Sequence, residues 1–458
     1  MPPRHEPGAR AAIRAANAAA GCRIVVLDDD PTGSQAMHDA RIVTVLDERE
    51  YALAMAQPST SFVLTNTRSM SAADAAAVTA EVAAAVCRQG RELGFPVRLV
   101  SRSDSTLRGH VIAEVAALRA VRRRVTGRDY RGVLLVPAYF EAGRYTEGDV
   151  HWAVVDGRPV PVGETEFARD ATFGYSSSNL REFVAERSGG AIAATDVVSV
   201  SLADIRDGGP DRVGRILRGV SGGRFVVVNA TDYADLEIVV LGLLDVADDF
   251  LFRTGPSFVR ALSGVDPIGP VTAATIWPGG HPGGHGLVVV GSHVGQTSRQ
   301  LAVARQRGSL VAVELDAATL ADPDRAPALV ADAAGRVGAA LAGSDVVLFT
   351  SRDVVTGSDG LAVARAVSAG VADVVRRALA ARPAWVVAKG GITSHDVAVR
   401  GLGIRRGTVL GQVFPGMVSV FAPVEAAPEA MGVPYVVFAG NVGDERALAD
   451  VVDLLAGR

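Results

Sequence analysis

Arg23-Ile-Val-Val-Leu-Asp-Asp-Asp-Pro-Thr-Gly33 is the stretch on which the architecture turns. Its apolar core, Ile24 to Leu27, is short, rich in β-branched residues and not alternating, which reads as a parallel strand covered on both faces. The run stops at three carboxylates, Asp28, Asp29 and Asp30, and turns through Pro31, Thr32 and Gly33. Similar runs recur at Phe62 to Thr65, Val97 to Ser101, Val133 to Pro137 and Phe225 to Asn229. Between several of them lie helical patterns, at Ala72 to Leu93 and Thr106 to Arg124, and strands alternating with helices predict a mostly parallel sheet flanked by helices.

The rhythm breaks over residues 264–286, where Pro and Gly cluster as PGGHPGGHG, and this stretch reads as a linker. A second alternating series follows, with strands at Leu287 to Gly291, Leu310 to Leu315, Val346 to Thr350, Trp385 to Ala388 and Tyr435 to Ala439, and a closing helix from Asp444 to Leu455. The expected organisation is therefore a frayed N-terminal lead over 1–22, an α/β domain over 23–263, the linker over 264–286 and a second α/β domain over 287–458. A ligand cleft is expected between the two domains.

At 458 residues the chain is long enough for two cores, and 48% apolar with 21% charged residues is far from the composition of a disordered chain. A net charge of −4 without a basic block excludes an extended nucleic-acid footprint. The most apolar helix candidate, Leu236 to Phe252, is interrupted by Asp245, Asp248 and Asp249, so no membrane span is expected. Cys22 and Cys87 lie apart among apolar residues and read as packing residues in a reducing, cytoplasmic setting. His281 and His285 sit on a Gly-rich loop without a nearby Cys or carboxylate, a poor metal site. Of the 46 Lys and Arg residues a single one is lysine, Lys389. In a chain that uses Arg for every other positive charge, that position is expected to need a compact point charge, at a phosphate.

In open parallel sheets ligands bind beyond the C-terminal ends of the strands. In the first half those ends carry Asp28 to Asp30, then Asn66-Thr67-Arg68, then Arg102-Ser103-Asp104-Ser105-Thr106 closed by Arg108 and Gly109, then Tyr139, Glu141, Gly143, Arg144 and Tyr145. Carboxylates accept from sugar hydroxyls and arginines clamp a carboxylate, so a polyhydroxy acid fits. In the second half the ends carry Gly291-Ser292-His293, Lys389-Gly390-Gly391-Ile392-Thr393-Ser394 and Gly440-Asn441-Val442-Gly443. Glycines that admit close backbone approach, with hydroxyl donors beside them, are phosphate-cradling features. No P-loop is present, and no G-x-G-x-x-G follows the first strand of either half.

Taken together, DDPTG from Asp29, NTRS from Asn66, SDSTLRG from Ser103, the pair Gly143-Arg144, KGGITS from Lys389, FPGM from Phe414 and GNVG from Gly440 resemble the four-carbon acid sugar kinases, over nearly the whole chain. The resemblance implies an N-terminal domain for a tetronate-type acid and a C-terminal domain for ATP, with Mg²⁺ accompanying the nucleotide. By position it implies Asp29, Asp30, Arg68, Asp104 and Arg108 in the acid pocket, and Ser292, Gly390, Gly391, Ile392, Thr393 and Gly440 at ATP. The strand-end reading adds Arg102, Gly143 and Arg144 to the acid pocket, and Lys389 and Gly443 to the nucleotide site. Asp30 is expected to orient or deprotonate the acceptor hydroxyl, with Asp28 and Asp29 as competitors for that role. The acid's carboxylate is expected on Arg68 or Arg108. The implied reaction moves the γ-phosphoryl group of ATP to the terminal hydroxyl of threonate, erythronate or an oxo-tetronate. A sugar-acid dehydrogenase using NAD(P) and a non-catalytic sugar-acid or nucleotide sensor are the alternatives. The expected partners are small molecules, and a homodimer is left open.

Overall fold

In the computed structural model the apolar run Ile24 to Leu27 forms β1 (Arg23–Asp28), and every residue of the strand from Ile24 on is buried. The structure describes residues 2–30, 33–292, 295–351, 360–440 and 442–458; Pro31, Thr32, His293 and Asn441, singled out above, lie outside the described residues. Contacts divide the chain into two compact units, Met1–Pro267 and Ile268–Arg458.

Unit 1 adds β2 (Arg41–Val43), β3 (Ser61–Leu64), β4 (Val97–Arg102), β5 (Gly132–Val136), β6 (Arg144–Glu147), β7 (Val150–Val155), β8 (Arg158–Pro161), β9 (Val198–Val200), β10 (Arg224–Val228) and β11 (Phe250–Thr254). Its main sheet is all parallel, in the order β2-β3-β1-β4-β11-β5-β10-β9, and β6-β7-β8 form a separate antiparallel sheet. β1 lies between β3 and β4, so the connections leave it in opposite directions and open a crevice at its C-terminal end. The helix Ala72–Leu93 forms where the sequence predicts it: Ser71 caps its start by accepting from the Asp74 amide at 3.2 Å, and Gly94 ends it with φ of 80°. Its Val82, Ala83 and Val86 join Leu118 and Val121 of the helix Val111–Thr126 in one core cluster.

Three expectations are corrected. The helix expected from Thr106 starts at Val111, because Leu107 and Gly109 adopt φ of 67° and 129°, outside the helical region. The apolar stretch Leu236 to Phe252 is not one helix but the helix Tyr233–Leu243, a 3₁₀ turn Leu244–Asp249 over the acidic residues, and β11. The N-terminal lead does not fray: Ala9–Ala19 is a helix docked by a fully buried Ile13, an Arg10–Glu237 ion pair of 2.6 Å and an Asn17 Nδ2 bond to the Leu262 carbonyl.

Unit 2 comprises β12 (Leu287–Val290), β13 (Leu310–Leu315), β14 (Asp345–Thr350), β15 (Val386–Lys389), β16 (Arg406–Phe414), β17 (Met417–Glu425) and β18 (Tyr435–Phe438). The order is β13-β14-β12-β15-β18-β17-β16, parallel through β18 and antiparallel over β17 and β16. β12 again sits where the order reverses. The Pro- and Gly-rich stretch carries a short helix, Ala273–Ile276, and its Val271, Ile276 and Trp277 are buried in the core of unit 2 beside Val288 and Trp385.

Candidate functional site

In unit 1 the loops after β1, β3 and β4 meet because their strands are neighbours. Asp28 is fully buried and accepts from Arg102 Nη1 at 2.9 Å. Asp29, also buried, accepts from Arg68 Nη2 at 2.6 Å and from Ser103 Oγ at 2.6 Å. Asp30 is the most exposed of the three and lies 3.3 Å from Arg68 Nη1. Asp104 accepts from Thr106 Oγ1 and from Arg108 Nε, the latter at 2.7 Å. The loop is tight at Gly109, where a Cβ would stand 2.6 Å from Ser103 Oγ and 3.0 Å from Asp29. Here only glycine fits.

Charge is unevenly spent in this cluster. Arg68, Arg102 and Arg108 are each paired with carboxylates. Arg144 has no ion pair among the described residues: one Nη donates to the Ala142 carbonyl at 2.6 Å and its buried Nε has no partner. Arg144 is half-buried, and that partial burial lowers its pKa; Arg144 and Arg108 both lie over the Phe167 ring, at 6.0 and 5.1 Å. Gly143 does not itself face this cluster; with φ of 70° and Val154 packed where a Cβ would be, it makes the turn that delivers Arg144.

Burial pushes Asp28 up to about 7 against the pull of Arg102, with Asp29 and Asp30 adding to the rise. Burial works the same way on Asp104, but Arg108 and Arg68 outweigh it and hold that carboxyl well below the usual range. Burial takes His151 down to about 4. Its Nε2 lies 2.8 Å from the Ser105 carbonyl, which can only accept, so the neutral ring carries its proton there and accepts from Thr146 Oγ1 on Nδ1. His151 thus fastens the loop after β4 to β7.

In unit 2 the ends of β12, β15 and β18 converge in the same way. A Cβ on Gly440 would stand 2.6 Å from Ser292 Oγ, and one on Gly390, at φ of 113°, would stand 3.0 Å from Ser292 Cβ; Gly291 is backed by Thr393. Gly391 opens the helix Gly391–Asp396, Ile392 beside it is half-exposed, and Gly443 takes φ of 79°. Lys389 does not point to solvent. It is fully buried, its Nζ donates to the Ala439 carbonyl at 2.9 Å and sits 3.6 Å from the Phe438 ring centre, and burial takes its ammonium down to about 7.

Several residues at these sites escape sequence reasoning. Arg253 of β11 is buried, donates to Ser101 Oγ at 2.6 Å and to Glu114, and holds the floor beneath Gly109. Glu114 also accepts from Thr67 Oγ1 at 2.6 Å. The available signals were an arginine inside the apolar run Phe250-Leu-Phe-Arg-Thr254 and a glutamate on the apolar face of the helix after SDSTLRG. Phe167, Gln296, Thr297 and Gln300 carry no such signal.

Among the described residues, no three or more His, Cys, Asp or Glu gather as a metal site, and no helix is long and apolar enough to cross a membrane. Two family models match the chain in succession, a sugar-binding N-terminal domain over residues 24–262 and a nucleotide-binding C-terminal domain over residues 287–448. No curated protein matches it. Among solved structures, Haemophilus influenzae protein HI1011 is similar with a TM-score of 0.61 at 15% identity, over 94% of this chain and 100% of that one. A Salmonella typhimurium LT2 protein provisionally called a tRNA synthase has a TM-score of 0.67 at 18% identity, over 94% and 98%. At such identities the likeness is one of fold.

Proposed function

The chain belongs to the four-carbon acid sugar kinase family, in which a sugar-binding N-terminal domain precedes a nucleotide-binding C-terminal domain, and from that premise we propose that it phosphorylates the terminal hydroxyl of a four-carbon sugar acid with ATP. The observation that carries the reading is Arg144, a half-buried cation with no ion pair among the described residues, beside a cluster of carboxylates whose other arginines are already paired. A guanidinium partly withdrawn from water, with its Nε buried and unpartnered, is costly, and an anionic ligand relieves that cost. On this reading the acid's carboxylate goes to Arg144 rather than to Arg68 or Arg108, whose charge is taken up by Asp29, Asp30 and Asp104.

The sugar hydroxyls then donate to Asp29, Asp30 and Asp104. Asp30, the most accessible of the three consecutive aspartates, orients the acceptor hydroxyl and takes its proton as the O–P bond forms. Phosphoryl transfer asks mainly for alignment and charge neutralisation, so rigidly ion-paired acidic loops suit the acceptor side. The glycines of unit 2 around Ser292, where a Cβ would collide, fit the close approach of a polyphosphate. A magnesium ion accompanying the nucleotide would supply positive charge against the charge that builds up on the transferred phosphoryl group.

The test is a panel of tetronates and oxo-tetronates with Mg-ATP and coupled ADP detection. We expect ADP release that depends on one of these acids and is absent with the corresponding neutral tetritol. Release with NAD(P) reduction in place of ADP would overturn the reading.

A further inference from the structure

At the end of β18 the carbonyls of Ala439, Gly440, Val442, Gly443 and Asp444 are taken up by side chains. Lys389 Nζ donates to Ala439 O at 2.9 Å, Thr297 Oγ1 to Gly440 O at 2.9 Å, and Gln296 Nε2 to Gly443 O at 3.0 Å. Gln300 Nε2 serves two, Val442 O at 3.0 Å and Asp444 O at 2.6 Å. Thr297, Gln300 and Lys389 are fully buried, and three of the four donors lie on the helix Gly295–Gln306. In a trans peptide unit the carbonyl of one residue and the amide of the next point in opposite directions. Carbonyls held inward by these donors therefore turn the amides of Gly440, Gly443 and Asp444 the other way, and among the described residues none of these three amides has a protein acceptor. Outward amides such as the consecutive pair Gly443 and Asp444 offer donors to an anion.

We propose that Lys389, Thr297, Gln296 and Gln300 form a carbonyl clamp that presents the amides of Gly440, Gly443 and Asp444 to the nucleotide's phosphates, so that the lone lysine is a positioning residue and does not itself touch phosphate. The proposal rests on the reading of unit 2 as the nucleotide site. It also explains the choice of lysine. The position admits a single compact donor beside the Phe438 ring, and a planar guanidinium is the wrong shape for it.

The experiment is calorimetric titration of the full chain with Mg-ATP and with adenosine, for Thr297→Val, Thr297→Ser, Gln300→Leu and Lys389→Met, alongside thermal melts. Each hydrogen bond removed should weaken ATP by about tenfold. Adenosine, which has no phosphate, should bind as it does to the wild type, and Thr297→Ser should restore ATP affinity. Lys389→Met should weaken ATP while melting at or above the wild-type temperature, because it removes a buried charge; a merely structural lysine would lower both together. Wild-type ATP affinity in Thr297→Val and Gln300→Leu, or ATP and adenosine weakened in parallel, overturns the clamp alone. A wild-type chain that binds neither ligand overturns the clamp and the nucleotide reading with it.

Discussion

Asp28 and Arg144 show how burial, more than residue type, assigns roles in the acidic cluster. Asp28 ionises near pH 7 in the fold and near 4 in the unfolded chain, so the native state holds the extra proton between those values. Stability contributed by that proton is complete below about pH 4 and is lost as pH rises to about 7, by a few kcal/mol at most. Asp28→Asn should flatten this fall, and urea melts of both proteins from pH 4.5 to 8 check it; an unchanged slope would place the titration elsewhere. For Arg144 the expectation is kinetic. Arg144→Leu should raise KM for the acid by roughly 30-fold, the equivalent of about 2 kcal/mol for a charged hydrogen-bonded contact, and leave KM for ATP unchanged. Arg144 was legible in the sequence as one of several strand-end arginines. That it, unlike Arg68, Arg102 and Arg108, has no carboxylate partner among the described residues was not, because those pairings depend on which strands become neighbours.

At the scale of elements, what could be read was what each segment decides for itself. The runs that became β1 and β5 carry unbroken apolar stretches, Ile24 to Leu27 and Val133 to Val136, since both faces of a parallel sheet are covered, and no tertiary information is needed to find them. The hairpin strands β6 to β8 and β16 to β17 were missed because glycine, proline and charged residues interrupt their alternation, and β11 was hidden behind an equally apolar helix. The missed β11 took Arg253 with it, whose partner Glu114 lies 139 residues away in the chain. The loop after β4 gathers these contributions: Leu107 is strained at φ of 67°, His151 ties it from one side and Arg253 supports it from below. Gly109→Ala adds a side chain at φ of 129° into Ser103, Asp29 and Arg253. It should cost about 2 kcal/mol or more in a urea melt and lower turnover with the acid; a wild-type melt would contradict the packing described for this loop.

For the whole molecule, the division at Pro267 and Ile268 assigns the Pro- and Gly-rich stretch physically, since Val271, Ile276 and Trp277 are buried in unit 2. A fragment of residues 268–458 should therefore melt higher than one of residues 287–458, which leaves Trp385 and Val288 without those neighbours; equal melting temperatures would show that the stretch contributes nothing to the unit. On the proposed division of labour the acid binds residues 1–267 and the nucleotide binds residues 268–458. The most direct test of the kinase reading is ³¹P nuclear magnetic resonance of the full chain incubated with Mg-ATP and the acid that stimulates ADP release. The account predicts a new phosphomonoester resonance split into a triplet by a terminal CH₂, growing in step with ADP; orthophosphate in its place, or no acid-dependent change in the spectrum, would contradict it.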